Sequence, residues 1–186
     1  GDIAFAKEHY IRDVLIHIRV YQKENASRVQ TFYLQSKDPN CFVKYLSYLT
    51  GNFVLVTTLE TNRDEGYELV SRAPVPTRRW ERFKLVPYGR KGITIEPIMD
   101  FDLEPFLKMI VEVNPEFVYI GFNSRPSQVH LPEPSIEKVL KLIEGIQAAG
   151  IKVIPKDLRG WENKIGGQAG QGNGKGGRDA ALDAYM

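Results

Sequence analysis

Six polar stretches open the chain or follow its apolar runs, and they hold the side chains that can do chemistry. They are Gly1-Asp2, Gln35-Ser36-Lys37, Thr57-Thr58-Leu59-Glu60-Thr61-Asn62, Glu96-Pro97, Asn123-Ser124-Arg125 and Lys156-Asp157. Together they offer carboxylates, ammonium groups, hydroxyls and amides. That set suits a polar ligand carrying both amine and carboxylate charge. Glu96 stands out because it directly follows an apolar strand and is pinned by Pro97. Thr58 and Glu60 share strand parity, so both can face one side of a sheet. Lys37 is the strongest anion contact of the set. Other residue types point nowhere. His9, His17 and His130 lack metal-ligand spacing. Ser36, Ser124 and Ser127 have no partnered histidine in any nucleophile motif, so no hydrolase triad is supported. Cys41 is the single cysteine, which excludes an internal disulfide and any all-cysteine metal or iron–sulfur site built from this chain alone. Set among Phe42 and Val43, it reads as a small packing residue.

These stretches matter only if a scaffold brings them to one rim. Residues 7–23 place Ile11, Val14, Leu15, Ile18 and Tyr21 on one helical face. QTFYL, 30–34, reads as a strand. Asp38-Pro39 predicts an N-cap and first turn for a helix carrying Phe42, Val43, Leu46 and Leu49 and ending near Gly51. FVLVTT, 53–58, is the nearly continuous apolar strand of a parallel sheet covered on both faces. Helices are expected at 64–72 and, after the Pro74-Val75-Pro76 break, at 77–86. GITIE, 92–96, is a third strand, and 100–113 a helix with acidic residues at its start. FVYIGF, 117–122, is a fourth strand. Ser135 caps a helix to about Ala149 that Gly150 ends, and IKVIP, 151–155, is a fifth strand. Strands and helices alternate, which implies parallel strands, and ligands of such folds bind at the strands' carboxyl ends. Pattern alone does not separate a barrel from a doubly wound sheet.

The 186 residues are 42% hydrophobic and 26% charged, with a formal net charge of +2. These values suit a soluble globular domain and give no electrostatic reason to expect nucleic acid or an anionic membrane as partner. No apolar run approaches the roughly 18 residues of a membrane span. A cytoplasmic protein is expected. From about Gly166 the sequence GGQAGQGNGKGGRD is glycine-rich, without P-loop spacing, and is expected to be a flexible tail. The expected division is a folded unit over 1–159 and a tail over 160–186.

Read in order, Gly1-Asp2, "TFYLQSKDP", "FVLVTTLETN", "ITIEPIMDFDLEPFL", "PEFVYIGFNS" and "IKVIPKDLR" resemble the later part of radical S-adenosylmethionine (radical SAM) proteins. The likeness is to phage-type uncharacterised members, and more loosely to the spore photoproduct lyase group, over residues 1–159. It implies an α/β fold, a parallel (β/α) partial TIM barrel lacking its N-terminal strands. It further implies S-adenosylmethionine as cofactor and a 4Fe–4S cluster held by a Cys-x-x-x-Cys-x-x-Cys loop. Reduction by that cluster would generate a 5′-deoxyadenosyl radical. By the same resemblance Asp2 falls near the methionine amine and Ser36 and Lys37 near its carboxylate. Thr58, Glu60 and Asn62 fall near the ribose hydroxyls, Glu96 near the adenosyl group, and Asn123 near adenine or substrate. This chain departs from the pattern, for it has no such cysteine motif. Opening on Gly rather than Met, it is expected to be part of a longer protein or to need a partner supplying the missing N-terminal barrel segment. Alone it is expected to lack radical activity. Two other functions are open: a non-catalytic α/β binding or scaffold domain, and a metal-free barrel lyase or isomerase using Glu96 as base and Lys37 as electrostatic partner. A barrel cut here leaves residues 30–34 as an open sheet edge, which invites self-association.

Overall fold

The computed structural model describes residues 2–28 and 30–160. All of the expected tail after Gly160 lies outside the described residues, as does Gly1. Five strands form one sheet in the order β1-β2-β3-β4-β5: β1 Phe32–Gln35, β2 Phe53–Thr58, β3 Lys91–Ile95, β4 Phe117–Ile120 and β5 Lys152–Pro155. Each pairs parallel with the next. Among the described residues four α-helices lie between or before them: α1 Glu8–Glu24, α2 Pro76–Leu85, α3 Leu103–Val113 and α4 Ile136–Ala148. The chain is therefore α/β with an all-parallel sheet.

Alternation along the strands divides the packing in two. Phe53, Leu55, Ile93, Ile95, Val118, Ile120 and Val153 join Leu15, Phe83, Phe106, Ile110, Val139 and Leu142 of the helices in the main core. The opposite face carries a small cluster of strand residues only, Val54, Val56 and Phe117 with Tyr119 and Ile154. The described helices thus pack on one side of the sheet. On the other side the Phe117 ring lies across Gly92, where any Cβ would collide with it. Crossing that gap, it comes 5.9 Å from the Tyr33 ring of β1, centre to centre. β2 and β3 are buried at every position, as their apolar runs require, whereas β1 alternates between half-buried and exposed, as an outermost strand does. Pro155, which cannot donate to a ladder, sits on the other outermost strand.

Several expectations are corrected. Residues 39–48 form a 3₁₀ helix, not an α-helix, and Asp38 makes no capping bond. Its apolar stripe is Phe42, Tyr45 and Tyr48, three apart, which fits three residues per turn and leaves Val43 exposed. Asp38 pairs instead with Arg82, 2.9 Å away. Within α1 only Leu15 is fully buried, while Val14 is 52% exposed, because a helix at the sheet edge covers a narrow stripe. The helix expected over 64–72 is reduced to a 3₁₀ turn, Tyr67–Leu69, entered through left-handed Gly66. α3 begins at Leu103, because Asp100 and Asp102 are both drawn to Arg63. Ser135 does cap α4, accepting from Lys138 N, and Gly150 follows it with φ +78°. Among the described residues no helix is long and apolar enough to cross a membrane.

Candidate functional site

Parallel strands put every carboxyl end on one rim. Lys37, Glu60, Glu96, Asn123 and Lys156 lie just beyond the ends of β1, β2, β3, β4 and β5 respectively.

At β1, Asp2 holds the strand end. Its Oδ1 accepts from Ala4 N at 2.9 Å and from Ser36 Oγ at 2.6 Å, and its Oδ2 accepts from Lys37 N at 2.6 Å. The ammonium of Lys37 is directed to Glu60 Oε1, 2.6 Å away. That oxygen also accepts from the Tyr67 hydroxyl at 3.0 Å, and Oε2 accepts from Arg79 Nη2 at 2.7 Å. Arg79, of α2, has no exposed surface. Its Nη1 donates to Thr58 O at 2.5 Å, and its guanidinium lies 5.0 Å from the centre of the Tyr67 ring. Burial opposes ionisation of Glu60, but the charges and hydrogen bonds of Arg79 and Lys37 outweigh it and hold the carboxyl below its usual range. Burial, reinforced by the Glu60 charge, pushes the Tyr67 hydroxyl up to about 12. Two cations thus share one buried carboxylate. Lys37 is the cation that touches solvent, with 38% of its side chain exposed.

Next to this network, Thr58 Oγ1 accepts from Gln35 Nε2 at 3.1 Å. Across the rim, Glu96 pairs with Lys156 at 2.8 Å. By alternation both face away from the helices. They come from β3 and β5, two strands apart, and the intervening residue of β4 is Gly121, which has no side chain to separate them. The Lys156 ammonium also lies 5.0 Å from the centre of the Tyr119 ring. Asn123 is folded into its own loop. Its Nδ2 donates to Val129 O at 2.6 Å, its Oδ1 accepts from Arg125 N at 3.0 Å, and its backbone N donates to Glu133 at 3.1 Å. Arg159 grips both oxygens of Glu133 at 2.7 Å and also donates to Asn123 O. Asn62 belongs to an outer clasp, accepting from Asp102 N at 2.8 Å beside Arg63.

The fold therefore joins Asp2, Ser36, Lys37 and Glu60 in one connected network. Thr58 touches it through Arg79. Glu96 is paired with Lys156 rather than Lys37, and Asn62 and Asn123 serve neighbouring loops. Sequence reasoning missed Arg79, Tyr67, Glu133 and Arg159. Arg79 left one signal: it stands four residues before buried Phe83, on the inward face of an amphipathic helix. An arginine at such a position needs a carboxylate.

Cys41 is half-buried, and burial raises its thiol to about 11. Among the described residues no group of three or more His, Cys, Asp or Glu is placed to hold a metal. Comparison with family models, curated proteins and solved structures finds no match.

Proposed function

We propose that this chain is the S-adenosylmethionine- and substrate-binding portion of a radical SAM (β/α) barrel, its sheet being a barrel segment. The observation carrying this reading is the strictly sequential, parallel strand order with the described helices on one face. Doubly wound sheets reverse strand order at a switch point and place helices on both faces. A barrel segment does neither. The polar rim then corresponds to the ligand-binding mouth.

The rim fits the charges of S-adenosylmethionine. Lys37 offers an ammonium to the methionine carboxylate, and Glu96 offers a carboxylate to the amine in place of Asp2, whose two oxygens are taken by Ala4, Ser36 and Lys37. Thr58 supplies a hydroxyl on the face turned away from the helices. Asp2 and Ser36 hold the backbone that directs Lys37, and Arg79 holds Glu60. When bound, S-adenosylmethionine supplies a source of a carbon-centred radical on one-electron reduction. The cluster does not fit this chain. Cys41 is its single cysteine and its raised pKa disfavours the thiolate that iron requires. The chain alone is expected to have no radical activity.

Titration of the protein with S-adenosylmethionine, followed by ligand-observed nuclear magnetic resonance, tests this reading. Saturable binding weakened by Lys37→Ala and by Glu96→Gln is expected. No binding at millimolar ligand would overturn it. Anaerobic treatment with iron and sulfide should leave no stoichiometric cluster.

A second reading, a non-catalytic α/β binding domain, is favoured by one feature. Asp2, Ser36, Glu60 and Asn123 spend their polar atoms on the protein's own loops. It predicts a folded protein indifferent to S-adenosylmethionine.

A further inference from the structure

We infer that Glu96 and Tyr119 form a subsite for an organic ammonium group, which Lys156 fills as a built-in tenant. The inference deepens the cofactor reading, which also brings an amine to Glu96, but it is argued from β3, β4 and β5 alone and is tested with a probe other than that cofactor. A carboxylate beside an aromatic face is the pairing that binds an organic cation, through charge and through the ring quadrupole. Here the carboxylate is Glu96, 2.8 Å from the Lys156 ammonium, and the ring is Tyr119, 5.0 Å from it. The register sets Tyr119 between Thr94 and Ile154, so the ring is supported on both sides. Gly121 keeps the space between Glu96 and Lys156 clear, and a Cβ there would come 3.2 Å from Lys156 Cβ.

The tenant is built to leave. Lys156 is 45% exposed along its side chain, and its flexible stem can swing into solvent, whereas Glu96 is 27% exposed and anchored at a strand end. An exposed pair of this kind holds weakly. An anion entering here would meet Glu96, so the chemistry selects a cation. Once displaced, the Lys156 ammonium stands at the edge of the subsite.

The test uses the whole chain with tetramethylammonium chloride as probe and sodium chloride as ionic-strength control, read from amide shifts of Tyr119 and Gly121. Removing the tenant in Lys156→Gln should tighten binding roughly tenfold, the scale of one exposed ion pair plus one cation–π contact. Adding Glu96→Gln or Tyr119→Leu to that variant should abolish the gain. In the wild type, the probe should shift the Lys156 side-chain methylene beside the ammonium. Equal response of wild type and Lys156→Gln would overturn the inference, as would a gain that survives Glu96→Gln. So would a Lys156 signal unmoved at saturating probe, a readout that does not depend on any variant folding.

Discussion

Replacing Arg79 by Met keeps the length of the side chain and removes its charge at a position with no exposed surface. Three contacts go with it: the bond to Thr58 O at 2.5 Å, the ion pair with Glu60 at 2.7 Å and the place of the guanidinium 5.0 Å from the centre of the Tyr67 ring. Hydrogen bonds to charged groups contribute about 1.5–3 kcal/mol each, and breaking a buried pair costs about 3–5 kcal/mol. Lys37 and Tyr67 still reach Glu60, so the loss should fall near the middle, about 4 kcal/mol. For a chain of this size that lowers Tm by roughly 8–16 °C. Its pH dependence has a fixed sign. Glu60 has a folded pKa below its unfolded value, so its contribution is present above the unfolded value of about 4.5 and is lost as pH falls through the folded one. In Arg79→Met the burial cost on Glu60 is no longer outweighed to the same extent, its pKa rises, and acid can neutralise it. The gap between variant and wild type should therefore shrink below about pH 4.5. Urea unfolding followed by circular dichroism at pH 7 and pH 4 measures both effects. Adding Glu60→Gln should recover at least about 1.5 kcal/mol of the loss as coupling energy. A loss under about 1 kcal/mol at pH 7, or additive single variants, would refute the account of this network.

Asp2→Ala should cost about 1–2 kcal/mol in urea unfolding, because its carboxylate accepts from three groups, and Asp2→Asn should recover part of that. Gly92→Ala drives a methyl group into the Phe117 ring and should cost about 1–3 kcal/mol, with Phe117→Leu relieving much of it in the double variant. With its thiol near 11, Cys41 should react with iodoacetamide at a rate rising about tenfold per pH unit from pH 8 to 10. A plateau near pH 9 would mean that burial does not control it.

Local chemistry settled what was legible in the chain itself. FVLVTT and the first four residues of GITIE are mostly apolar because β2 and β3 are buried at every position, so composition and length mark them as buried strands. Ser135 and Gly150 mark the ends of α4 because capping bonds and positive φ depend on a few neighbouring residues. The polar strand ends were visible for the same reason. The partners were not. Arg79 lies nineteen residues after Glu60, and only the packing of α2 against the end of β2 joins them. Asp38 and Asp100 read as helix-start residues, yet each is taken by a cation brought from another element, Arg82 for one and Arg63 and Lys138 for the other. Glu96 finds Lys156 because Gly121 happens to stand between them. Sequence fixes which groups are available near each strand end, since that depends on neighbours in the chain. Which charge meets which is decided by distances across the sheet, and those exist only once the strands are paired.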